Sequence, residues 1–294
     1  MSAPERIPPR SLTATTEPTA VSAAPAASAA SADGVLALLT EGELTVRGRI
    51  REASNGVLFC TVAYEGRRAD CVYKPVAGER PLWDFPDGTL AEREVAAYAV
   101  SEATGWGLVP PTVLRDGPYG PGMVQQWIEP DPYAPELLAL VDEDEPGDGW
   151  KAVGRAQVDE HRTALLVHAD DVRLRRLAVL DAVINNGDRK GGHLLPAPGG
   201  RLHAIDHGVT FHVDDKLRTL LWGWAGEPLP AEAEAVLTAL DGSLAPGAPL
   251  AARLTDLITA PELDALRARV RHLRTTARHP HPPTDWPAIP WPPI

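Results

Sequence analysis

The residues best placed to do chemistry lie between Asn186 and Gly208. A long apolar segment ends there in Asn-Asn-Gly, and Asp188 and Arg189 follow in a polar loop. Leu194 and Leu195 begin a short strand, Pro-Ala-Pro-Gly-Gly turns it, and residues 202–205 read as the returning strand. Asp206-His207-Gly208 closes the return. A hairpin thus carries one carboxylate before it and another after it. Phosphoryl transfer requires such a pair: one carboxylate orients an attacking hydroxyl, the other holds the divalent cation that bridges the phosphates. Asp188, with Arg189 beside it, is therefore the candidate catalytic group, and Asp206 the candidate metal ligand.

A second part lies upstream. Lys74 ends a strand-like stretch, and Glu94 lies in the helix that follows. A strand lysine paired to a helix glutamate positions the phosphates of a nucleotide. Taken alone, a strand-end lysine is more often an exposed cation; the two downstream carboxylates reverse that balance. Glu92 competes for the lysine, but Glu94 sits nearer the face carrying Val95 and Tyr98. Ser54-Asn55-Gly56 is the stretch that offers backbone amides to phosphates, so Asn55 and Gly56 join the nucleotide-binding set with Lys74 and Glu94.

These parts need elements to hold them. Residues 44–75 read as three β-rich segments separated by turn signals. Residues 89–104 read as a helix, with Thr89 and Glu92 at capping-box spacing and Gly105 just past the end. Residues 109–130 read as two strands about a Gly/Pro turn. An acidic loop, residues 142–149, separates the halves, and beyond it the chain reads as helical. That helical reading includes HRTALLVH at 161–168, the segment carrying Leu174, Leu177, Leu180 and Ile184 at helical spacing, and two late segments after Pro230.

The expected fold is α+β and two-lobed: a small β-rich N-lobe with one helix at 34–129, and a larger, mainly helical C-lobe at 130–277. Residues 1–33, mostly Ala, Ser, Thr and Pro, lack the apolar surface to offset ordering entropy and read as disordered. Residues 278–294 form a Pro-rich tail with Trp286 and Trp291, read either as a strap on the body or as a ligand for a partner.

Composition narrows the partners. The formal net charge of the 294-residue chain is −12, which argues against nucleic acid. No apolar run is long enough to span a membrane, and no basic-then-apolar leader opens the chain. Cys60 and Cys71 make no disulfide framework and read as reduced strand hydrophobes. A cytoplasmic protein is expected.

The stretches VYKP, AEREVAAYAV, MVQQWIE, NNGDRKGGH and AIDHG together resemble the phosphatidylinositol 3- and 4-kinase-like superfamily, and within it a bacterial family. The resemblance covers roughly residues 44–225. It implies a protein-kinase-like fold using ATP with Mg²⁺ or Mn²⁺, and acceptors among lipids, protein hydroxyls or small molecules. By it, Lys74 contacts phosphates, Gln126, Trp127 and Ile128 form the hinge strand holding adenine, Asp188 is catalytic and Asp206 binds metal. That group writes its catalytic loop Asp-Arg-His-x-x-Asn. Here Lys190 stands in the His place and His193 in that of the Asn metal ligand. Imidazole suits Mn²⁺ better than Mg²⁺, so His193 implies a Mn²⁺ preference and loss of activity on its protonation.

Three other readings use the same residues. His193, His203, His207 and His212 around Asp206 suggest a metallohydrolase, although no HExxH is present. A degraded ligand at His193 suggests an inactive nucleotide-binding module. Transfer of a nucleotidyl group would use the same parts with the nucleotide reversed.

Overall fold

The computed structural model describes residues 32–50, 56–86, 88–142, 144–157 and 162–293. Most of the Ala/Ser-rich segment and Asn55 lie outside the described residues.

The upstream strands pair into a five-stranded antiparallel sheet. It is built from β1 (Glu43–Arg49), β2 (Leu58–Tyr64), β3 (Arg67–Pro75), β4 (Thr112–Gly117) and β5 (Gly120–Gln126), in the order β1-β2-β3-β5-β4. Glu65 and Gly66 join β2 to β3, both at positive φ, as a two-residue hairpin turn demands. Cys60 faces Cys71 across this pair, and both are buried free thiols. Burial raises them to about 11 and about 12, so neither is a nucleophile at neutral pH.

One face of the sheet is covered by α1 (Ala32–Glu41), whose Leu38 and Leu39 pack with Cys60, Val62, Cys71, Tyr73 and Val124. The N-lobe therefore carries two helices. A ten-residue helix is marginal on its own, and packing supplies what its short apolar run does not advertise. The second helix, α2 (Leu90–Thr104), has the Thr89–Glu92 capping box and a left-handed Gly105. It is buried around most of its circumference and shares one core with the C-lobe helices.

The C-lobe is less helical than the sequence suggests. β6 (Leu138–Val141), β7 (Trp150–Gln157) and β8 (Thr163–Ala169) form an antiparallel sheet with β8 in the middle. Most of the HRTALLVH segment is thus a central strand, Thr163–Ala169, while His161 lies outside the described residues. The strand's unbroken apolar run is buried at successive positions, hence on both faces of the sheet, a pattern that a short buried helix shares. Then follow α3 (Val172–Ile184), the hairpin β9 (Leu194–Ala197) and β10 (Arg201–Ala204), α4 (Ala233–Ser243), α5 (Pro249–Thr255) and α6 (Ala260–Thr276). The last two are separate helices because Thr259 starts α6 with a second capping box, to Glu262.

An aromatic node joins the three-stranded sheet to the rest of the lobe. His168 of β8 packs 4.2 Å from the Trp224 ring, which stacks on His279 at 6.0 Å. His168 accepts from the Gly223 amide through Nε2, so its Nδ1–H donates to the Ala169 carbonyl. Burial lowers both histidines to about 4. Their folded values lie below the unfolded one, so their neutral-state stability is complete above about pH 6.5 and is lost as pH falls toward 4. Urea unfolding at pH 7 and pH 5 should show a loss on the order of 1 kcal/mol per pH unit per histidine. A flat response would contradict this placement.

Candidate active site

The site begins where α3 ends. Asn185 terminates the helix in the left-handed region, at φ 53°. Its Nδ2 donates to the carbonyls of His212 and Asp214, and its Oδ1 accepts from the Lys216 amide. Asn186 is wholly buried; it donates to Asp181 and accepts from the Asp188 amide at 3.0 Å. The two asparagines thus set the path of the 212–216 segment and of the Asp188 loop.

Arg189 is fully buried and lines no part of the open site. Its guanidinium makes a two-pronged pair with the Asp181 carboxylate, both bonds at 2.9 Å. It also donates to the Ile205 carbonyl at 2.9 Å and to His207 Nε2 at 2.7 Å. The catalytic role that sequence spacing suggests is therefore replaced by a positioning one: Arg189 ties the Asp188 loop to the end of β10. Sequence reading placed the Asn-Asn-Gly at the helix end but gave no role to either asparagine or to Asp181. A carboxylate within the apolar stripe of α3 was the available signal, because such a charge must find a buried partner.

Asp206 adopts a left-handed backbone, φ 63°, which a non-glycine residue rarely holds without a reason. Its side chain is half exposed and meets Lys74 Nζ at 3.0 Å. The same ammonium lies 2.6 Å from Glu94. Glu94 in turn accepts from the His207 amide at 2.9 Å, so β3, α2 and the Asp206 turn meet at one carboxylate. Glu92 is occupied by its capping box. Gly208 belongs to this contact too, since a Cβ there would come within 3.2 Å of the Leu90 side chain at the start of α2.

The charges are mutually adjusted. The Lys74 ammonium holds the Asp206 carboxyl well below the usual range. Burial disfavours the Lys74 charge, but Asp206 and Glu94 outweigh it and raise the lysine. Burial raises Asp188 despite Lys190 Nζ at 3.1 Å, so its carboxylate is a better proton acceptor than a solvated one. His193 Nε2 lies 3.3 Å from the second Asp206 oxygen, and burial lowers His193 to about 4.

A cavity of about 230 Å³ brings Lys74, Glu94, Asp188, Asp206 and Gly56 together. Glu79, Arg80 and Leu82 also line it, from a loop that sequence reading left unassigned. Gln126, Trp127 and Ile128 do not line it. The Gln126 and Trp127 amides bond instead to the Pro111 and Asp70 carbonyls, continuing the pairing of β5 on both sides. Among the described residues no three His, Cys, Asp or Glu side chains converge on a metal position. His207 and His212 have other tasks, with the Arg189 guanidinium and the Asp214 amide. Asp206 and His193 form a two-donor pair, which fits a cation whose other ligands are phosphate oxygens and water.

No protein-family model matches the chain. It is 48% identical over 265 residues to Protein Rv2133c of Mycobacterium tuberculosis (strain ATCC 25618 / H37Rv), spanning 86% of this chain and 95% of that protein. The chain belongs to the family of Protein Rv2133c. Among solved structures, hydra Fam20 with sugar aligns over 83% of this chain and 87% of its own, with TM-score 0.51 and 14% identity. The Golgi casein kinase with Mn/ADP bound aligns over 84% and 75%, with TM-score 0.47 and 11% identity. The Fam20 likeness carries the fold, and this member of the Rv2133c family has a protein-kinase-like fold.

The buried fork yields a direct test. Arg189→Met leaves the Asp181 charge without its partner and should lower unfolding stability by about 3–5 kcal/mol. Asp181→Leu combined with Arg189→Met should recover much of that loss in urea titrations. A single variant as stable as the native chain would remove the positioning role.

Proposed function

We propose that this chain is an ATP- and divalent-metal-dependent phosphotransferase that moves a phosphoryl group onto a hydroxyl of a protein, lipid or small molecule. One observation carries the reading. Lys74 Nζ lies within hydrogen-bond distance of both Glu94 and Asp206, in the cavity that Asp188 also lines. In these roles Lys74, held by Glu94, meets the phosphates, with Gly56 and Arg80 at the cavity wall. Asp206 and His193 would hold the cation, which would supply neutralisation of the phosphate charge. Asp188 orients the acceptor hydroxyl and takes its proton. The order of these parts resembles that of the phosphatidylinositol 3- and 4-kinase-like group. No helix among the described residues is long and apolar enough to cross a membrane.

The test is incubation with γ-labelled ATP and Mg²⁺ or Mn²⁺, following label on the chain and on added acceptors. Asp188→Ala and Asp206→Ala should each lower transfer by about 10²–10³-fold with the fold retained in circular dichroism. Folded variants with native transfer rates would sink either role. Label retained from the α- but not the γ-phosphate would mark nucleotidyl transfer instead, and nucleotide binding without turnover would mark an inactive module.

His193 makes a separate prediction. With its ring neutral down to about pH 4, transfer should persist at pH 5.5, where a solvated imidazole ligand would already be protonated. His193→Asn should shift the preference from Mn²⁺ toward Mg²⁺. Equal turnover with both metals in both proteins would remove the ligand role.

A further inference from the structure

The last described segment behaves as a bound peptide. Residues 284–293 run over the C-lobe as an irregular segment, bending at 284–286, 288–289 and 291–292, and are gripped through their carbonyls. Gly191 N, three residues after Asp188, donates to the Pro293 carbonyl at 2.9 Å. Thr219 N and Trp222 Nε1 both donate to the Ala288 carbonyl, at 3.1 and 2.8 Å. Arg218 Nη2 reaches the Ile289 carbonyl at 3.5 Å. The body supplies donors and the segment supplies acceptors. That chemistry selects a proline-rich segment, whose carbonyls outnumber its N–H groups.

The segment's seat adjoins the loop that carries Asp188. Thr219 pairs with Arg189, and the Arg189 amide bonds to the Arg218 carbonyl, so the strand-like floor is the catalytic loop and its neighbour. At the other end Lys216 Nζ sits 3.7 Å from the Trp286 ring and 5.6 Å from that of Trp83, next to the cavity-lining loop. The occupant is imperfect. Trp286 buries its Nε1 with no acceptor, and Trp291 is 80% exposed. A buried donor left unpaired weakens a complex and makes its occupant replaceable.

We propose that this groove is the docking site for a proline-rich protein segment, and that residues 284–293 fill it in cis until a protein acceptor replaces them. This rests on the phosphotransfer reading and narrows its acceptor to protein. The acceptor chain would lie across Gly191 and Thr219, leading its hydroxyl toward Asp188.

The test uses the full chain carrying Trp286→Ala and Ile289→Asp, which loosens the segment without altering the cavity. The probe is a fluorescein-labelled peptide of residues 284–293, TDWPAIPWPP. Anisotropy should rise with the variant and stay flat with the native chain. Hydrogen exchange at Gly191 and Thr219 should quicken in the variant. Transfer of γ-label onto an unfolded protein acceptor should increase about 5-fold or more, as expected when a competing intramolecular ligand is lost. A folded variant that does not bind the peptide overturns the groove, whatever its activity. Peptide binding with transfer slower than native also overturns the proposal, because the segment would then be supporting the loop. Peptide binding with no transfer by either protein upholds the groove and removes the phosphotransfer reading instead.

Discussion

The site hangs on one buried ion pair. Arg189 and Asp181 are both fully excluded from solvent, and such a pair is tolerable only when every prong is satisfied. Here the remaining donors of Arg189 reach Ile205 and His207, on the far side of the hairpin β9–β10. One guanidinium therefore fixes the distance between the loop bearing Asp188 and the turn bearing Asp206. The arrangement also fixes a tautomer: His207 Nε2 must accept from Arg189, so the ring's proton is on Nδ1, and burial keeps the ring neutral.

The two lobes are joined by the same economy of few, well-satisfied charges. α2 carries Glu94 toward the sheet and Arg93 toward α6, where it pairs with Glu262 at 2.6 Å. Arg93 also donates to the Thr210 carbonyl, just beyond the Asp206 turn. Movement of α2 would break Lys74–Glu94 and Arg93–Glu262 together. The geometry of the cavity is thus coupled to the packing of the C-lobe helices.

Much of this was legible along the chain. Turn chemistry at Glu65-Gly66, the capping box at Thr89 and the hairpin after His193 are local signals, and local signals survive without a tertiary context. Glu94 over Glu92 was also legible, because Glu92 lies at the third helical position where a cap needs it. β8 was not legible. Its side chains are buried on both faces of the sheet, with His168 against the aromatic node, and nothing in seven residues tells that from a short buried helix.

By itself the sequence determined the order of chemical groups: lysine, helix glutamate, loop carboxylate, hairpin, second carboxylate. That order is covalent, and the spacing of short turns leaves it little freedom. Only the tertiary structure decided which charges face the cavity and which face inward. Asp188 and Arg189 are neighbours in sequence, yet one lines the cavity and the other is sealed against α3. Asp181 makes the difference, because a buried carboxylate must draw a cation from whichever loop passes it. The same holds for the proline-rich segment, whose free carbonyls become a bound strap only where the folded C-lobe presents donors in line.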